Sequence, residues 1–337
     1  MVKVAILGAG FMGQTHGTAY QHIENAELAA VFDQNEALGK TFAEKYGCRS
    51  YTDLEALLCD CEIDVVDICL PTFLHETYAI LAAKRGKHVF CEKPVTLSVA
   101  SFDKIFEAVN EAGVQMFVGQ VVRFWSEYAA ARQLYLEGAL GDLCYVYAAR
   151  LSEHPAWSEW YRRPENSGGG LIDLHLHDID YLCWLLGTAE EVYAAGTQNA
   201  LGCWNYVSSI LRFESGKSAT AEGVIEMAKG YPFTTELRLV GSKQTYEYAM
   251  KAGANLENVA AAKRQAVLYG DGRAEVQPLN PRDAYEIELE HFITCIDRGI
   301  SSNIIQMDGV RNVLCTIEAL KCSLETKKAV RVNYGRR

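Results

Sequence analysis

The run Gly8-Ala9-Gly10-Phe11-Met12-Gly13 has the residue types needed to bring backbone close to a phosphate. It follows an apolar stretch at residues 2–7 and precedes a helical pattern, the context in which a G-x-G-x-x-G sequence holds a dinucleotide. Gly8 permits a tight turn, Gly10 lets the chain approach a pyrophosphate, and Gly13 lets helix and strand pack closely, while the helix start offers N–H donors to the anion. Gly8, Gly10, Phe11, Met12 and Gly13 are therefore candidate cofactor-binding residues. Asp33 closes the next strand about 20 residues beyond Gly13, where a carboxylate accepts hydrogen bonds from ribose hydroxyls. It would repel a 2′-phosphate, and Gln34 and Asn35 supply no arginine to receive one, so NAD is expected over NADP. Flavin proteins share the fingerprint, but further flavin-binding motifs are not seen in this sequence.

Two more segments carry chemistry. Cys91-Glu92-Lys93-Pro94 ends a predicted strand, where ligands bind in open α/β sheets. Gly168-Gly169-Gly170 leads into Leu171-Ile172-Asp173-Leu174-His175-Leu176-His177-Asp178-Ile179-Asp180. If Asp173 begins a helix, His177 and Asp180 share its face and the glycines leave room for a ligand at its start. These groups suit alcohol oxidation. His177 is a natural base for the hydroxyl proton, Asp173 can support it, and Lys93 can donate to the developing carbonyl oxygen. Pro94 constrains the backbone there, with a cis bond as one option. His175 and His177 also raise a metal site, but positions i and i+2 diverge on a helix and no third ligand is spaced for one, so no metal is expected.

These side chains need a scaffold, and the chain alternates short apolar runs with helical stretches. Runs at residues 2–7, 28–33, 65–70, 88–92 and 115–118 alternate with helical patterns at 13–21, 35–46, 76–85 and 98–112. Strands apolar on both faces imply a parallel, doubly wound Rossmann sheet, here residues 1–121. From 122 to 337 the pattern changes to candidate strands at 143–151, 192–197, 206–213, 218–225, 236–240, 245–248 and 267–269, several joined by tight turns. This predicts an α+β domain with a large, mostly antiparallel sheet. In 206–213, Tyr206, Ser208 and Arg212 share one face and Val207, Leu211 and Phe213 the other, which helices at 174–186, 283–298 and 307–326 are expected to cover.

Composition narrows the partners. The 337 residues suit two domains, and 49% hydrophobic with 22% charged residues describes a packed globular chain. A net charge of −11 disfavours nucleic acid and anionic membranes, leaving small molecules. Eleven cysteines, an odd number without a CxxC pair, fit a reducing cytoplasm, and the apolar run at the start is too short for a signal peptide or membrane span.

In the glycine fingerprint, the Glu92-Lys93-Pro94 motif, the Gly-Gly…Asp173-x-x-x-His177 motif and the antiparallel second half, the chain resembles the glucose–fructose oxidoreductase and inositol dehydrogenase family, Gfo/Idh/MocA. The resemblance spans essentially the whole length. It implies that Lys93, Asp173 and His177 are the catalytic set, that Pro71, Thr72 and His75 line the nicotinamide side with Glu92 and Lys93, and that Gln120 and Arg123 lie near the substrate. It also implies a homodimer or homotetramer formed through the open face of the second sheet. Where family members commonly have a small residue, this chain has His175, which would narrow the pocket or add a polar contact.

The expected activity is NAD-dependent oxidation of a secondary hydroxyl of a sugar, cyclitol, sugar acid or nucleotide sugar, or the reverse. Two alternatives are glycoside cleavage with transient oxidation and a non-catalytic NAD sensor; Lys93, Asp173 and His177 argue against the sensor. His154, Trp157, Trp160, Tyr161, Arg162 and Arg163 form an aromatic and basic segment suited to a sugar face or an acidic group, with a packed surface loop as the equal alternative. Tyr285 is expected in the core, His16, His22, His88 and His291 as ordinary surface or core residues, and Cys91 as packing.

Overall fold

A computed structural model describes residues 1–154, 159–253 and 262–335. The chain separates into two compact units: Met1–Phe124 with Arg282–Arg311, and Trp125–Pro281 with Asn312–Arg337.

The first unit alternates β1 (Val2–Leu7), α1 (Phe11–Tyr20), β2 (Ala26–Phe32), α2 (Glu36–Tyr46), β3 (Arg49–Tyr51), α3 (Leu54–Leu58), β4 (Val65–Ile68), α4 (His75–Lys84), β5 (His88–Cys91), α5 (Val99–Ala112) and β6 (Met116–Val118). The strands pair in parallel in the order β3-β2-β1-β4-β5-β6, a doubly wound Rossmann sheet. β1 and β4 are buried almost throughout, because helices cover both faces. The sequence pattern passes over β3 and α3. β3 has three residues with none fully buried, and such a short edge strand leaves no hydrophobic signature.

The second unit contains α6 (Ser126–Leu136), β7 (Leu143–Leu151), α7 (Pro164–Ser167), α8 (Gly169–Asp173), α9 (Leu176–Leu186), β8 (Ala189–Gln198), β9 (Trp204–Phe213), β10 (Ser218–Val224), β11 (Thr234–Gly241), β12 (Thr245–Lys251), β13 (Lys263–Gly270) and β14 (Arg273–Val276). After them come α10 (Ala284–Arg298), α11 (Met307–Thr326) and β15 (Val330–Arg331). The second sheet runs β14-β13-β12-β11-β7-β10-β9-β8-β15, antiparallel except where β10 meets β7. Register sorts its faces. Val192, Leu211, Ala219, Val146, Leu239 and Tyr246 lie opposite one another and are buried, whereas in the adjoining row Tyr193 and Ile210 face solvent.

One predicted cover helix belongs elsewhere. α10 packs in the first unit, where Phe292 meets Phe117 at 4.4 Å and Phe90 at 5.5 Å between ring centroids. Its apolar stripe shows that it needs a sheet but not which one. Within the second unit α6 contributes to that cover: Tyr128 packs edge-on against Tyr181 and Tyr248, and the Tyr246 hydroxyl donates to the Glu127 carbonyl at 2.8 Å.

Candidate active site

The glycine loop has the shape the fingerprint requires. Gly8 has φ of +101°, and a Cβ there would lie 2.7 Å from the Cys69 carbonyl oxygen. At Gly13 a Cβ would fall 1.9 Å from the Gly8 carbonyl oxygen, so helix and loop meet with no room for a side chain. Gly10 is the opposite case: a Cβ would meet nothing within 4 Å, the open approach a pyrophosphate needs. Gly10 caps α1 without a side-chain hydrogen bond. Asp33 accepts hydrogen bonds from Ala9 N at 2.9 Å (Oδ2) and Asn35 N at 2.8 Å (Oδ1), which fixes its carboxylate beside the loop. The residues present therefore fit a dinucleotide, whose pyrophosphate would be held by Gly10 and the start of α1, which carries Phe11 and Met12.

At the end of β5 the Lys93–Pro94 bond is cis. Lys93 N donates to Glu92 Oε2 at 2.9 Å, and the Lys93 side chain is half-buried. His75 corrects one expectation. It is buried, with Nδ1 2.9 Å from the Pro94 carbonyl and Nε2 2.7 Å from the Leu70 carbonyl, so both ring nitrogens face backbone oxygens and a neutral ring donates to one of them. Burial lowers its pKa against the opposing pull of the two carbonyls. Pro71 is half-buried and Thr72 buried at the end of the loop after β4.

In the second unit Asp173 ends a helix instead of starting one. α8 stops there, Leu174 and His175 form a turn, and α9 begins at Leu176, so the face expected to carry Asp173, His177 and Asp180 is interrupted. The glycines before it are packing residues, not a ligand entrance. A Cβ on Gly169 would lie 2.9 Å from Cys203 Cβ, one on Gly170 2.8 Å from Ile225 Cγ2, and Gly170 N donates to Asn205 Oδ1 at 2.8 Å. Close seating of α8 on β9 turns the chain at Leu174–His175. Asp173 and Asp180 are buried, while His177 is half-exposed between buried neighbours.

His175 is likewise not a pocket residue. It is fully buried, its Nε2 2.8 Å from Ser209 Oγ, and it occupies space that a side chain at Gly223 would claim, since a Cβ there would fall 2.5 Å from its Nδ1. Burial, aided by the Arg150 charge, lowers its pKa to about 4, so it is a neutral core residue. On the other side of His177, Asp178 receives Arg150 Nε and Nη2, each at 3.1 Å, with both side chains buried. His177 thus sits on a stretch pinned at both flanks.

The remaining candidates divide. Gln120 and Arg123 are buried, and Arg123 Nη1 donates to the Ile304 carbonyl at 2.6 Å, which takes that nitrogen away from a substrate. Trp160 and Tyr161 pack ring to ring at 4.2 Å, His154 is half-buried and Arg162 is exposed. Trp157 lies outside the described residues.

Sequence reasoning missed one group. His16, expected to be ordinary, is fully buried with Nδ1 2.9 Å from Asp67 Oδ2 and Nε2 3.1 Å from Glu92 Oε1. The Tyr20 hydroxyl also donates to Asp67 Oδ2 at 3.1 Å, and Cys69 Sγ lies 3.3 Å from His16 Nδ1. His16, Asp67 and Cys69 hold potential metal-ligand atoms within 4.8 Å of one another, but both ring nitrogens are at hydrogen-bond distance from carboxylates, which leaves no lone pair directed at an ion. A signal was present: His16 follows Gly13 by three residues, which places it on the sheet-facing side of α1.

Fold and loop together define a dinucleotide-binding Rossmann protein, and the family match specifies an oxidoreductase family with an NAD-binding Rossmann fold. Residues 2–120 match the model of that oxidoreductase family and residues 128–247 match its C-terminal domain; the chain belongs to the Gfo/Idh/MocA family. It is similar to the D-xylose 1-dehydrogenase (NADP(+)) 2 of Haloferax volcanii, 29% identical over 335 residues, 97% of this chain and 99% of that protein. It is also similar to the myo-inositol 2-dehydrogenase of Thermotoga maritima, 28% identical over 343 residues and 98% of each chain. In fold it matches the aldose-aldose oxidoreductase of Caulobacter crescentus with a TM-score of 0.86 at 22% identity, over 98% of this chain and 99% of that one.

Proposed function

We propose that the protein is an NAD-dependent dehydrogenase that oxidises a secondary hydroxyl of a sugar or cyclitol, or reduces the matching ketone. The observation that carries this is the open glycine loop with Asp33 fixed beside it, in a chain that keeps Lys93, Asp173 and His177. A bound nicotinamide dinucleotide supplies the hydride acceptor. His177 takes the hydroxyl proton, Asp173 supports it, and Lys93 donates to the oxygen as it becomes a carbonyl. The test follows NADH absorbance with NAD and a panel of aldoses, inositols, sugar acids and nucleotide sugars; no absorbance change with any of them overturns the reading. Product formed without net NADH would instead favour glycoside cleavage with transient oxidation.

Asp33 is proposed to set the choice of NAD over NADP. Asp33→Ser removes the carboxylate that accepts the ribose hydroxyls and repels a 2′-phosphate, so KM for NAD should rise about 10- to 100-fold and that for NADP should fall. An unchanged ratio of the two kcat/KM values would sink this assignment.

We also propose a homo-oligomer formed through the open face of the second sheet, where Tyr145, Tyr193, Tyr206 and Ile210 are each at least 39% exposed. Ile210→Glu should shift sedimentation toward a smaller species, whereas an unaltered profile would place the interface elsewhere. The eleven cysteines, all free, suit a reducing, cytoplasmic setting, and among the described residues no helix is long and apolar enough to cross a membrane.

A further inference from the structure

His16 lies on α1, the helix that starts at the glycine loop, and its ring meets side chains from two different strand ends. Nδ1 faces Asp67 at the end of β4, and Nε2 faces Glu92 just beyond β5. Two carboxylates can both be satisfied only if both ring nitrogens carry protons, which makes the ring an imidazolium. Asp67 is further fixed by the Tyr20 hydroxyl, and Glu92 uses its other oxygen to accept Lys93 N. The cradle admits little else. A Cβ on Gly119 would fall 2.9 Å from Glu92 Oε1, and the rings of Phe90 and Tyr285 close on His16 at 5.6 and 5.8 Å.

We propose that His16, held as an imidazolium between Asp67 and Glu92, is a positioning residue: through Glu92 it fixes the backbone of Lys93 and ties the dinucleotide-binding helix to the group that polarises the substrate oxygen. This rests on the role proposed for Lys93. The groups facing the ring are Asp67 and Cys69 from β4 and its end, Glu92 beyond β5, Tyr20 from α1 through Asp67, and Tyr285 from α10, with Glu288 buried on the same helix. Burial is the largest single influence and opposes the ring's charge, but the charge and hydrogen bond of Asp67 and the neighbouring Cys69 sulfur together outweigh it, and the pKa rises well above the ordinary histidine value. Cys69 remains a thiol, since burial pushes its own pKa far up.

Two substitutions separate positioning from bulk structure. Asn reaches about as far as Nδ1 of the ring and Gln about as far as Nε2, so His16→Asn keeps a donor for Asp67 and His16→Gln keeps one for Glu92. Both lose the same charge. In the full-length enzyme with NAD and the polyol found by the panel, His16→Asn should lower kcat on the order of 100-fold, with KM for NAD changed by less than about threefold. His16→Gln should recover most of that loss, and the acid limb of the kcat profile should move to higher pH in His16→Asn. In the unliganded wild-type enzyme, ring 15N spectra should show both His16 nitrogens protonated at pH 7, a readout that needs neither turnover nor a folded variant. Equal losses of kcat in the two variants that follow their loss of stability, or a neutral ring in the spectrum, would overturn the inference. Lys93→Ala separates the two levels: wild-type turnover there overturns the Lys93 role and this inference with it, whereas lost turnover alongside equal His16 variants overturns this inference alone.

Discussion

Lys93→Ala should bind NAD and turn over its polyol roughly 100- to 1,000-fold more slowly, the loss that follows removal of one donor to a developing oxyanion. The change leaves the cofactor loop alone. Gly8, Gly10 and Gly13 hold their geometry through backbone contacts, and Asp33 is fixed by Ala9 N and Asn35 N. The hydrogen bond from Lys93 N to Glu92 also survives, because it comes from the main chain. The loss should therefore appear in kcat, with KM for NAD little changed. His177→Ala is the companion, expected to lose about 100- to 10,000-fold through removal of the proposed general base and to regain part of that with added imidazole. Cofactor titration by fluorescence beside steady-state kinetics measures both, and turnover near wild type in either variant would remove that residue from the catalytic set.

Arg150→Met should destabilise the protein by about 3–5 kcal/mol, because it leaves Asp178 as a buried carboxylate without its cation. The pair is bidentate, 2% and 0% exposed, and joins β7 to α9. A charge stranded there has no water to turn to, so the cost is that of desolvation and not of one lost contact. Arg150→Met with Asp178→Leu should recover a large part of the loss, since two apolar side chains leave no charge behind. Urea unfolding of the three variants reads this, and a single-variant loss under about 1 kcal/mol would show the pair to be dispensable. The double variant should still run below wild-type kcat. Asp178 and His175 hold the two flanks of His177, and small displacements of a catalytic base are costly in rate.

Much of the fold was legible because local steric rules left marks within a few residues. The glycines at 8, 10 and 13 stand where the turn, the open approach and the close packing require them. The alternation of β9, with every second residue from Asn205 to Phe213 buried, follows directly from the two faces of a strand. The same kind of rule misled at Gly168-Gly169-Gly170. A glycine run reads alike whether it admits a ligand or another strand, and here Cys203, Asn205 and Ile225 fill the space.

What the sequence by itself determined is the parallel first sheet, the dinucleotide loop with Asp33, the mostly antiparallel second sheet, and the residue types of the candidate site; each follows from spacing along a short stretch of chain. Only the tertiary structure decided that α10 covers the first sheet, that the chain turns between Asp173 and His177, and that His75 and His175 are packed side chains. It alone joined His16 to Asp67 and Glu92, which lie 51 and 76 residues away along the chain. The reason is physical: a side chain's type and period fix which way it points from its own backbone, while its partner depends on which distant strand ends the fold brings beneath it.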